Sequence, residues 1–174
     1  MQLNLYNKAY ADYFSDAANQ KQIQQAVKFL EDVKNIFFIG NGGSNAICAH
    51  MMEDYAKMGG FRTFSFTDAA MITCFANDYG YENAIMEWLK IYFDKGDLLV
   101  AISSSGKSRN ILNAAAFAGE KGGKIITLSG FKKDNPLKSE GEINFHVPVE
   151  NFGVVECFHQ VILHVILDEI CANK

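Results

Sequence analysis

Cysteine is sparse and proline almost missing, and both shortages narrow the possibilities. The four cysteines, Cys48, Cys74, Cys157 and Cys171, form no Cys-x-x-Cys pair. That excludes the usual zinc-thiolate spacing and offers no disulfide framework. They read as free thiols in a reducing compartment, small buried apolar residues and not nucleophiles, because nothing around them would activate a thiol. Only Pro136 and Pro148 occur, with no repeat, low-complexity tract or proline-rich linker. Nothing therefore divides the 174 residues, and the length suits one domain spanning 1–174. A formal charge of −4 lacks the basic surplus that nucleic-acid binding draws on. No apolar run approaches the roughly 20 residues that span a bilayer. The first residues, Met1 to Lys8, show no basic segment followed by an apolar run, so no signal peptide is expected. The expectation is a cytoplasmic protein that binds neither nucleic acid nor membrane.

The remaining composition, 49% apolar and 21% charged, is that of an ordinary globular chain. Apolar positions Ala18, Ile23, Ala26, Val27 and Leu30 recur at helical spacing and predict an N-terminal helix over about 3–34. Ile36 to Ile39 is a short apolar run ending in Gly40–Ser44, after which Ser44 is placed to cap a helix reaching about Met58. Phe61 to Phe66, Leu98 to Ile102, Lys124 to Leu128 and Ile143 to Val147 read as further strands. Helices are expected from about Ser108 to Lys121 and from Val154 to Ile170. Alternation of this kind implies parallel β-α-β units, hence an α/β three-layer sandwich with a mostly parallel sheet and helices on both faces. The last helix is apolar nearly all round, and a helix without a polar face needs cover on several sides. A homo-oligomer supplies that cover.

Ligands of such doubly wound sheets bind beyond the carboxyl ends of the strands, where two loops fall. Ser103, Ser104, Ser105 and Ser108 surround Gly106 between a strand and a helix. Hydroxyls and free N–H groups at a helix start suit a phosphate dianion, and Lys107 adds charge. The plain alternative is a serine-rich turn that caps the next helix. A dinucleotide reading rests on Gly40 and Gly42 after a strand, with Asp68 as ribose acid. It is set aside because the third fingerprint position is Asn45.

Taken together, the loops resemble the sugar isomerase (SIS) domain family, and more narrowly its phosphoheptose isomerases. The resemblance runs from about Ile36 to Ile170. It is carried by Gly40–Ser44, His50 with Asp54, Thr73–Gly80, Gly96–Ser108, Ile126–Gly130, and Glu156 through His159 to His164. It implies a homotetramer that interconverts sedoheptulose 7-phosphate and D-glycero-D-manno-heptose 7-phosphate, toward heptose for lipopolysaccharide or capsule. It also implies that Ser103, Ser104, Ser105 and Ser108 hold the phosphate. Asn41, Gly42, Gly43 and Ser44 match the first loop, and Asp68, Asn77 and Asp78 match further substrate contacts. A zinc ion near the subunit interface would fall to His50, Asp54, Glu156 and His164.

Isomerisation needs a base near C1 and C2 and an acid or metal for the developing oxyanion. His50 and Asp54, four apart, share one helix face and make a usable half-site for zinc. Glu156 and His164 lie eight residues apart, about 12 Å along a straight helix. They share an ion only through a bent helix start or through two subunits, and His159 is an alternative partner for Glu156. Against the family pattern, Asp54 stands for a catalytic glutamate, Glu156 for a glutamine, and Gly153 and Val154 for an acid–arginine pair. The reading takes Asp54 as base and His164 as acid, with Glu156 as a second carboxylate for metal charge or as base. The alternatives are a non-catalytic phosphosugar-binding or regulatory SIS protein, or an isomerase of another phosphosugar. Two histidines and two acids at the four positions favour an enzyme.

Overall fold

The computed structural model describes residues 2–173. Five parallel strands, β1 (Asn35–Ile39), β2 (Arg62–Ser65), β3 (Leu98–Ser103), β4 (Lys124–Gly130) and β5 (Ile143–Val147), form one sheet in the order β2-β1-β3-β4-β5. That is the flavodoxin-like doubly wound order, whose direction of winding reverses between β1 and β3. The helices are α1 (Gln2–Ser15), α2 (Ala17–Leu30), α3 (Gly43–Lys57), α4 (Ala69–Tyr79), α5 (Tyr81–Tyr92), α6 (Arg109–Glu120) and α7 (Phe152–Ala172). The α/β three-layer expectation is met.

Strands covered on both faces need apolar side chains at successive positions, and β1 shows why. Ile36 and Phe38 enter a core with α1, α2, α3 and α7, while Phe37 and Ile39 enter a second core with α5 and α6. The final helix is central to the first core. Val154, Val155, Phe158, Ile162, Leu163, Ile166 and Leu167 are buried within the single chain. Much of the cover that its all-round apolarity calls for is intramolecular.

Two local expectations are corrected. The single helix over about 3–34 is two helices, because Asp16 leaves helical geometry (φ −73°, ψ 118°) and its carboxylate caps the second by accepting from the Ala18 N–H at 2.7 Å. Ser44 is not the cap of α3. Gly42 holds that position without a side-chain bond, and Ser44 lies buried in the first turn. Between β2 and β3, where no element is expected, α4 and α5 form around Gly80. Asp68 caps α4 by accepting from the Met71 N–H at 2.9 Å, and Ala84, Ile85, Trp88 and Leu89 give α5 its buried face.

Candidate functional site

The loops after β1 and β3 meet at the winding reversal. Ser103 ends β3 and Ser108 precedes α6, with their hydroxyls 3.1 Å apart. The loop is bound on three sides. Gly106 N–H donates to the Ser103 carbonyl at 2.9 Å, Gly130 N–H to that of Ser104 at 2.9 Å, and Leu137 N–H to that of Gly106 at 3.1 Å. Gly106 is required at the turn, since its φ is +64° and a Cβ there would collide with Asn135. Ser108 occupies the N-cap position of α6 but makes no side-chain cap bond, so the plain capping role is not what its hydroxyl does. Ser44, Ser103 and Ser104 are buried, and the Ser104 hydroxyl has no partner among the described residues. With Asn41, Ser105, Ser108, Phe152 and Glu156 they line a cavity of about 140 Å³. A dense set of hydroxyls at the starts of α3 and α6 is what an anion needs.

Glu156 reaches this cavity from α7. Its carboxylate lies over Gly43, where an added Cβ would stand 2.5 Å from Oε2. A negative charge is favoured there by the N-terminal dipole of α3. Lys107 lines the neighbouring cavity of about 340 Å³, with Ser105, Phe131, Lys132, Glu150 and Phe152, and not the serine cavity itself.

Farther along the same two helices a second group forms. Asp54 Oδ2 lies 3.1 Å from His50 Nε2 and 3.7 Å from His164 Nδ1. The imidazole centroids are 5.3 Å apart, and the candidate ligand atoms of the three residues all lie within 4.8 Å of one another. Tetrahedral zinc with bonds of about 2.0–2.2 Å spaces its ligand atoms by about 3.3–3.6 Å. Two histidines and a carboxylate are a donor set that catalytic zinc uses with a fourth position open, so the three residues fit the ion. Glu156, expected as a fourth ligand, is not in this group. Helix α7 runs unbroken from Phe152 to Ala172, and eight residues of it separate Glu156 from His164 by about 12 Å.

The other expected contacts lie elsewhere. Asp68, Asn77 and Asp78 are exposed on or before α4. Asp68 serves as helix cap, and Asn77 Nδ2 donates to Asp78 Oδ1 at 2.9 Å. None of the three lines the serine cavity. His159 does not partner Glu156. It is fully buried, its Nε2 donates to the Ser129 carbonyl at 3.1 Å, and burial lowers its pKa to about 4, so it stays neutral. His146 is lowered in the same direction, again chiefly by burial. Of the cysteines only Cys48 is buried, its thiol pushed up by that burial, while Cys74 and Cys157 are exposed.

Three residues of the site escaped the sequence reading. Phe152 walls the serine cavity, whereas Tyr81 and Asn110 bond to Asn41 from behind. Their partner lies 40 and 69 residues away in sequence. Only the placement of a polar Asn110 beside Ile111 at the start of an apolar helix hints at it.

Residues 6–130 match the SIS domain family. The chain is 30% identical to a phosphoheptose isomerase of Salmonella paratyphi B, over 97% of this chain and 93% of that one. A phosphoheptose isomerase structure from Francisella tularensis superposes with a TM-score of 0.86 at 26% identity, covering 99% of this chain and 95% of the other. One from Neisseria gonorrhoeae has the same fold, with a TM-score of 0.85 at 24% identity, covering 98% and 95%. Likeness that spans both loops and nearly the whole chain identifies its descent: the chain belongs to the SIS domain family and, within it, to the phosphoheptose isomerases.

Proposed function

We propose that this protein, a phosphosugar isomerase, interconverts sedoheptulose 7-phosphate and D-glycero-D-manno-heptose 7-phosphate. Its place would be in the cytoplasm, on the route to heptose for lipopolysaccharide or capsule. The observation that carries the reading is the His50–Asp54–His164 group on the same two helices as an anion cavity. A protein that only holds a phosphosugar needs the serines and has no use for an acid–base set.

In this reading the serine hydroxyls and the first-turn N–H groups of α3 and α6 hold the phosphate. Asp54 takes the proton that moves between C1 and C2, and His164 serves the adjacent oxygen. Their separation of 3.7 Å lets both reach one pair of carbons. His50, at 3.1 Å from the same carboxylate oxygen, orients the base. Zinc held by His50, Asp54 and His164 would polarise the sugar carbonyl and stabilise the oxyanion.

The separation of the two halves also bears on assembly. Ser44 and Asp54 are ten residues apart on α3, about 15 Å. A heptulose 7-phosphate spans about 9 Å from C2 to phosphorus when extended, at about 1.3 Å of advance per bond. An extended sugar seated in one chain's serine cavity, with contacts of about 3 Å at each end, only just bridges to that chain's own Asp54, and we infer that a second copy supplies the base. A homotetramer follows the same logic. It is supported by exposed Tyr79, Tyr81, Ile91 and Tyr92 on α4 and α5, which a second copy would cover.

Turnover of sedoheptulose 7-phosphate by variants tests the assignment. Asp54→Ala loses about 100- to 10,000-fold, while Glu156→Gln keeps most activity. The reverse result would move the base to Glu156.

A further inference from the structure

Asn41 lines the serine cavity with Ser44 and Ser103, and which of its amide atoms is free can be worked out from its partners. A backbone N–H is always a donor. Ile111 N–H is shared at 3.1 Å between the Ser108 carbonyl and Asn110 Oδ1. The Asn110 oxygen is thus placed, and its Nδ2 donates to Asn41 Oδ1 at 2.8 Å. Asn41 Nδ2 returns the bond to Asn110 Oδ1 at 2.9 Å. The Tyr81 hydroxyl adds a second donor to Asn41 Oδ1 at 2.8 Å. Both acceptor sites of that oxygen are then occupied. One N–H of Asn41 Nδ2 is engaged, and among the described residues nothing accepts the other.

We propose that Tyr81 and Asn110 are positioning residues. They lock the Asn41 amide so that its spare N–H, and not its carbonyl oxygen, is offered to an oxygen of the phosphosugar in the serine cavity. The inference rests on the phosphosugar reading above. The lock matters because the two ends of an asparagine amide differ little in shape, and its orientation is set by hydrogen bonds alone. Reversed, the amide would turn a carbonyl dipole toward an anion. Room to reverse exists: Asn41, Asn45, Tyr81 and Asn110 line a second cavity of about 170 Å³. The lock also draws on three separate segments. Asn110 is buried at the start of α6, Tyr81 opens α5, and Asn113 Nδ2 ties the two helices by donating to the Glu82 carbonyl at 3.0 Å.

A double-mutant cycle tests this, with sedoheptulose 7-phosphate and inorganic phosphate as the titrated ligands. Tyr81→Phe keeps the aromatic ring and removes only the hydroxyl bonded to Asn41, so the fold is retained. The substitution weakens sedoheptulose 7-phosphate binding about 2- to 10-fold and raises KM with kcat unmoved. In an Asn41→Ala background the same change has no effect, because the group it positions is gone. An equal penalty in both backgrounds overturns the proposal while leaving the phosphosugar reading intact. A native chain that binds neither ligand overturns that reading, and the positioning role with it. Weakening of both ligands places the spare N–H on the phosphate, and weakening of the sugar phosphate alone places it on the sugar.

Discussion

Replacing Gly106 with alanine strikes the serine loop at its turn, and the cost comes from two sources. At φ +64° a residue with a Cβ costs about 1–2 kcal/mol. The new methyl also runs into Asn135, whose own Cβ would be only 2.7 Å away, so rotating the terminal amide does not clear it. Asn135 is 3% exposed. Its amide donates to the Lys132 carbonyl at 2.9 Å and to Ser129 Oγ at 3.3 Å, and its oxygen accepts from the Lys138 N–H at 3.2 Å. Moving it gives up two or three bonds at about 1 kcal/mol each. The sum, about 3–5 kcal/mol, is a large share of a typical total of about 5–15 kcal/mol. For a chain of this size it lowers the melting temperature by about 6–20 °C. Scanning calorimetry of Gly106→Ala beside Gly119→Ala checks it. Gly119 is helical, and its added Cβ would meet Ile125 at an ordinary 3.6 Å, so that control is neutral or stabilising by up to about 1 kcal/mol. A loss under about 3 °C, or one no larger than the control's, would refute the reasoning.

Two further outcomes are expected. The pKa of His159 is held at about 4 by burial, against about 6.5 when unfolded. The unfolded chain then binds more protons between those values, so stability is complete above about pH 6.5 and is lost as pH falls toward 4. Urea unfolding at pH 7 and pH 5 should differ by about 2 kcal/mol on this account, and an identical difference in His159→Gln would count against it. Subunit sharing is tested by mixing. Asp54→Ala and Ser104→Ala chains, each inactive alone, regain activity when co-assembled if the base crosses between copies, and stay inactive if each chain is self-sufficient.

Much of the architecture was legible because buried parallel strands need continuous apolar runs, as at Ile36 to Ile39 and Leu98 to Ile102, and because each ended in a glycine-bearing loop. The serine-lined cavity was legible because Ser103, Ser104 and Ser105 are consecutive in sequence. Helix boundaries were less so. Asp16 breaks a pattern whose apolar spacing reads straight through it, and α4 packs only a short, partly buried stripe of Met71, Ile72, Phe75 and Ala76 on the core. The spatial split of the expected metal set follows from the 1.5 Å rise of a straight helix, which leaves His164 with His50 and Asp54 and takes Glu156 to Gly43. The amide pair of Asn41 and Asn110 had little local signal, since only the fold brings the loop after β1 and the start of α6 together.

The most direct test is isomerisation of sedoheptulose 7-phosphate by the purified native protein, with zinc added and then with a chelator. Turnover to D-glycero-D-manno-heptose 7-phosphate that the chelator reduces is the expected result. Tight binding of the sugar phosphate without any turnover, at every zinc concentration, would contradict it and make the protein a phosphosugar-binding member of its family instead.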